Sequence, residues 1–174
     1  MKHTISVILE DRFGDLQRIV GMFSAKCLPI ESLSVSPTMN GTLSSATIVT
    51  SGEAKAIEQI VKLLNRQVRV LSAADVTNLD CIEREMAFVK VKAENGEARQ
   101  KALNLVSLFH AKIVDATNEG FIVEVIGDSN TVRGLVHSLQ PFGVHEVVRT
   151  GTVAIERLNE AGEQAAANCQ VAAD

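Results

Sequence analysis

The sequence predicts an α+β chain made of two tandem βαββαβ units. Three observations lead there. One apolar spacing recurs four times at helical period, strand-length apolar runs lie between those stripes, and the order β-α-β-β-α-β occurs twice along 174 residues.

The elements follow in chain order. "TISVIL" alternates, placing Ile5, Val7 and Leu9 on one face of a first strand. Leu16, Ile19, Val20 and Phe23 then sit at i, i+3, i+4 and i+7, the stripe of an amphipathic helix. "IESLSV" and "SSATIVT" read as a strand pair, with Asn40-Gly41 between them as a hairpin signal. Ile57, Ile60, Val61 and Leu64 repeat the stripe, and "VRVLSA" closes the first unit as a strand. The second half begins with the strand "EMAFVKVKA", after which "ENGE" (Glu94–Glu97) forms a turn. Ala102, Leu105, Val106 and Phe109 mark a third helix, followed by "KIVDAT", the turn "NEG" and "FIVEVIG". Val132, Leu135, Val136 and Leu139 mark a fourth, and "VHEVVRTGTVAI" reads as one last strand.

This is the split βαβ, or ferredoxin-like, arrangement, in which two helices cover one face of an antiparallel sheet. The units divide as residues 1–77 and 78–157, joined by the short polar segment "DVTNLDCIER"; residues 158–174 form a tail with no apolar period, expected to be disordered. A two-layer unit leaves one sheet face bare, and about 75 residues make a marginal core, so association is expected. Ser32, Ser34 and Ser44 are candidates to make the bare face polar.

Composition narrows the function classes. Hydrophobic content of 46% and charged content of 22% suit a globular protein. A net charge of −4 with no basic cluster argues against a nucleic-acid or anionic-membrane surface. Aromatics are 3%, with no Trp or Tyr, so base stacking on a sheet has no platform. No apolar run reaches the roughly 20 residues of a membrane helix, and "MKHTISVILE" enters a strand directly, without the pattern of a signal peptide. Cys27, Cys81 and Cys169 are odd in number and far apart. They support neither a zinc site nor a disulfide framework, and the expected compartment is the cytoplasm.

Catalytic chemistry has no foothold. His3, His110, His137 and His145 share no metal-ligand spacing and are expected to be solvated. "CIEREM" reads as charges on a solvated surface, and Cys81 has no paired histidine. The remaining candidate is the turn at Gly14. A strand feeds a short loop and then a helix whose first N–H groups lack intrahelical partners. Those amides and the helix dipole favour an anion such as a carboxylate, and glycine allows close approach.

With the doubled topology, "ISVILEDRFGDLQRIVGMFSAKCLPIESLSVSPT" resembles the small, regulatory subunit of acetolactate synthase (acetohydroxyacid synthase). Glu10, Gly14, Leu16, Arg18, Gly21, Phe23, Ile30, Glu31, Ser32 and Leu33 carry the likeness, and "EREMAFVKV" and "GTVAIER" extend it through the second unit. The resemblance implies an N-terminal ACT domain, a C-terminal ferredoxin-like domain and a homodimer joined through the ACT domains. It implies a chain that is not itself an enzyme and holds no cofactor. Thiamine diphosphate, magnesium and FAD would belong to a large catalytic subunit, which this chain would activate and subject to feedback inhibition by valine. It further implies an effector site at the dimer interface, with Asp11, Gly14, Asp15 and Leu16 from one chain and Pro29 and Ile30 from the other. A free-standing ACT-type amino-acid sensor acting on another partner is the alternative.

The chain departs from the family's usual residues at Asp11, Phe13, Asp15, Cys27 and Pro29. Asp15 suits the helix dipole by about 0.3–1 kcal/mol. Its charge would repel an effector carboxylate 4 Å away by roughly 1–4 kcal/mol. Asp11 offers a partner for the effector's ammonium, while Pro29 lacks an N–H. The expectation is a retained dimer with valine binding weakened or altered in specificity.

Overall fold

The computed structural model describes residues 1–39, 41–93 and 96–158. The first unit runs β1 (Lys2–Glu10), α1 (Asp15–Ala25), β2 (Ile30–Pro37), β3 (Leu43–Ser51), α2 (Ala54–Leu64) and β4 (Val70–Asp75). Its antiparallel sheet has the order β2-β3-β1-β4. The second unit runs β5 (Cys81–Val91), α3 (Gly96–Leu108), β6 (Lys112–Ala116), β7 (Phe121–Gly127), α4 (Ser129–Leu139), a 3₁₀ turn (Gln140–Phe142), β8 (Val144–Arg149) and β9 (Val153–Glu156). Its order is β6-β7-β5-β8, with β9 paired to the first residues of β5. Both units therefore have the α+β, βαββαβ architecture.

Each core lies between one sheet face and two helices. Ile5, Val7 and Leu9 of β1 meet Ile19 and Phe23 of α1 and Ile57, Ile60 and Leu64 of α2, all nearly inaccessible to water. Each such side chain contributes about 1.5–3 kcal/mol by burial, and Phe23→Ala would cost about 3–5 kcal/mol. Ala87, Val89 and Val91 of β5 do the same beneath Ala102 and Val106 of α3 and Val132, Leu135 and Leu139 of α4. The predicted stripes thus form the cores, with two exceptions on α1: Leu16, at its start, is 38% exposed, and the half-buried Val20 also lies outside the core.

Several expectations need correction. Ser44 pairs with Leu9 and is buried on the helix side of the sheet, so it does not line the bare face. The last predicted strand divides into β8 and β9, because Gly151 takes φ 87° between them. "DVTNLDCIER" is not all linker: Asp75 ends β4 and Cys81 opens β5, leaving Val76–Asp80 between the units. Glu85, within "CIEREM", is buried rather than solvated, since it shares the core-facing side of β5 with Ala87 and Val89. His3 is buried too, and its Nδ1–H donates to Asp75 Oδ2 at 2.9 Å. Asn40 of the predicted hairpin, Glu94 and Asn95 of the "ENGE" turn, and tail residues 159–174 lie outside the described residues.

The first helix of each unit ends the same way. After α1, Leu28 N–H donates to Phe23 O and Cys27 N–H to Ser24 O. After α3, Ala111 N–H donates to Val106 O and His110 N–H to Ser107 O. These are Schellman closures, which need a left-handed residue and usually take glycine. Here Cys27 and His110 fill that place, each at φ 54°.

Candidate functional site

The loop after β1 is held from both sides. Glu10 N–H donates to Arg69 O and Asp11 N–H to Thr42 O, each at 2.9 Å. Gly14 sits at the N-cap of α1 with φ 91°, a conformation costing other L-residues about 1–2 kcal/mol. No heavy atom lies within 4 Å of where its Cβ would be, so backbone shape rather than crowding calls for glycine. Arg18 N–H closes onto Gly14 O at 3.1 Å. Among the described residues, no acceptor meets the amides of Gly14, Leu16 or Gln17. Phe13 and Asp11 are exposed beside them. The tip thus offers free amides at a helix start, an exposed carboxylate and two exposed apolar side chains, Phe13 and Leu16. That set can receive a small molecule with a carboxylate, an ammonium and an apolar body.

Asp15 faces the other way. It is 6% exposed, and Arg69 Nη1 lies 3.2 Å from each of its carboxylate oxygens. The bare charge expected at Asp15 is therefore corrected: Asp15 is paired with Arg69, and Asp11 is the exposed carboxylate at the tip.

Pro29 and Ile30 stand at the opposite end of α1. Pro29 O accepts the hydroxyl of the buried Thr50 at 2.7 Å, fixing the entry to β2. Ile30 pairs with Thr50, which pairs with His3, whereas the loop leaves β1 at Glu10. From His3 to Glu10 is about 23 Å along the strand at about 3.3 Å per residue. One chain brings Asp11, Gly14, Asp15 and Leu16 together, but it does not bring them to Pro29 and Ile30.

Sequence reading missed Arg69 and Thr50. Neither stands at a spacing that signals Asp15 or Pro29; only the pairing of β4 and β3 with their neighbours brings them there. Among the described residues, no group of three or more His, Cys, Asp or Glu is arranged to hold a metal ion. The Cys81 thiol is pushed up from its ordinary value by burial, then by Glu156, Glu83 and Asp80, which disfavours the reactive thiolate.

The family description "AHAS small subunit-like ACT domain" matches residues 5–72, and "Small subunit of acetolactate synthase" matches residues 84–158. A probable acetolactate synthase small subunit from Archaeoglobus fulgidus is 38% identical over 160 residues, covering 92% of this chain and 99% of the relative. The acetolactate synthase small subunit of Bacillus subtilis is 35% identical, with 90% and 91% covered. The crystal structure of the small subunit from Thermotoga maritima superposes with a TM-score of 0.82 at 32% identity, covering 91% of this chain and 99% of that one.

Proposed function

The chain belongs to the acetolactate synthase small-subunit family, and from this we infer that it is the non-catalytic regulatory partner of a thiamine diphosphate-dependent large subunit. In this reading it raises that subunit's activity and brings it under feedback control by valine or a related amino acid. Thiamine diphosphate, magnesium and FAD would all belong to the large subunit.

The observation that carries this reading is the loop at Gly14. Its unpartnered amides suit an amino acid's carboxylate, Asp11 suits the ammonium, and Leu16 offers apolar surface. Pro29 and Ile30 would complete the pocket from a second chain, because in one chain α1 holds them apart from the loop. β2 supports such a pairing, being an edge strand of eight residues with one side unpaired in the sheet order. The ligand would then favour the paired state that completes its pocket, which is what regulation through assembly needs. With Asp15 paired to Arg69, valine binding is expected to suffer less than the bare charge implies. Asp11 then sets the preference for a ligand bearing an ammonium.

The test is to mix the chain with its large subunit and follow acetolactate formation from pyruvate, with and without valine, leucine and isoleucine. Activation on mixing, reversed by valine, is expected. An unchanged rate on mixing would sink the reading, and valine binding without that effect would favour a free-standing sensor.

A further inference from the structure

The two units meet at one end of β2. Ser32 Oγ accepts the Thr152 N–H at 2.9 Å, and a Cβ on Gly151 would come within 2.7 Å of that same oxygen. Beside this contact lies a cleft of about 360 Å³ bordered by Lys2, Glu31, Ser32, Glu85, Arg133 and Arg149. That size falls within the roughly 300–1,000 Å³ typical of ligand sites.

The charges around the cleft are unequally satisfied. At its rim Glu31 takes the Ser51 hydroxyl and stands 3.6 Å from Lys2. Glu85 is different. It is 6% exposed, yet its Oε1 has no hydrogen-bond partner; Arg149 Nη1 stands off at 3.6 Å. A buried carboxylate oxygen left without a donor is unfavourable, so it calls for one. Arg133, exposed on the first turns of α4, has no ion-pair partner among the described residues. The cleft therefore holds a carboxylate short of a donor and a guanidinium short of an acceptor.

We propose that this cleft is a second small-molecule site, taking a compact zwitterion of the α-amino acid class. The ligand's ammonium donates to Glu85 Oε1, and its carboxylate lies against the guanidinium groups of Arg133 and Arg149. A simple anion would supply no donor to Glu85, and a simple cation would leave Arg133 unanswered. The site is separate from the Gly14 loop and needs no second chain, since every group comes from one copy.

The test follows backbone amide resonances of the full chain while each of the twenty proteinogenic amino acids is titrated. Propionate and ethylamine serve as controls, lacking the ammonium and the carboxylate respectively. Saturable shifts of the Ser32, Gly151 and Thr152 amides are expected for at least one amino acid and for neither control. Arg133→Gln and Glu85→Gln should each weaken that binding by about tenfold or more, as loss of a charge-assisted hydrogen bond does. Shifts at Gly14, Leu16 and Gln17, which report the loop, should be unchanged. If Glu85→Gln fails to fold, the exposed Arg133→Gln carries the test alone. The proposal is overturned if no amino acid shifts the cleft amides, if a control shifts them equally, or if the folded variants keep their affinity.

Discussion

Arg69 Nη1 stands 3.2 Å from both oxygens of Asp15, although 54 positions separate the two residues. Glu10 N–H donating to Arg69 O carries the arginine to the end of β1. Its side chain then reaches the carboxylate beneath the first turn of α1. Because Asp15 is buried and Arg69 is 42% exposed, the pair should be worth less than a fully buried one. A double-mutant cycle with Asp15→Asn and Arg69→Gln, read by urea denaturation, should give a coupling of about 1–2 kcal/mol. The same variants bear on the effector. On the proposed regulatory reading, Arg69→Gln alone leaves the charge of Asp15 uncompensated and should weaken valine binding by about tenfold, while adding Asp15→Asn should restore it. Equal valine affinity in all four proteins would refute this link.

The Schellman closures at Cys27 and His110 make a second prediction. Left-handed backbone costs a non-glycine residue about 1–2 kcal/mol, and glycine gives back about 0.5–1 kcal/mol through its freer unfolded chain. Cys27→Gly and His110→Gly should each stabilise the fold by about 0.5–1 kcal/mol, additively, since they lie in different units. Thermal unfolding of the two single variants and the double variant checks this, and a fall in either melting temperature would contradict it.

Asp75 gives a pH dependence. Burial raises its carboxyl, but the Thr77 hydroxyl and amide and then His3 outweigh that and hold it below its ordinary value. A carboxylate with a lowered native value binds fewer protons folded than unfolded, so stability rises with pH across that window. The contribution is complete above about pH 5 and disappears as pH falls through the lowered native value. Asp75→Asn should cost about 1–2 kcal/mol at pH 7 and less at pH 3, below the carboxyl's ordinary value. Urea midpoints of both proteins at the two pH values measure the difference. An equal gap at both would show that the carboxylate's charge plays no part.

The two-unit topology was legible because it is periodic: Ile57, Ile60 and Leu64 declare a helix face whatever surrounds them. The Gly14 loop was legible for a related reason, being a local strand-turn-helix. What escaped were partners set by strand register. Nothing near Asp15 announces Arg69, and nothing near Glu85 announces that β5 turns it inward beneath α4. His3 was misread for the same reason. A polar residue one step from a strand end looks solvated until a neighbouring strand brings Asp75 and Thr77 over it. Leu16 shows the opposite limit, since helical spacing assigned it to a core that the first turn of α1 does not reach.

The span of α1 has a consequence for how such a chain would sense its surroundings. A ligand gripped by the loop of one copy and by Pro29-Ile30 of another is a three-body complex, and its formation depends on how much protein is present. Dose–response curves for an inhibitor held this way shift to higher ligand concentration on dilution. A cell that makes less of the chain then loses inhibitor sensitivity as well as regulator.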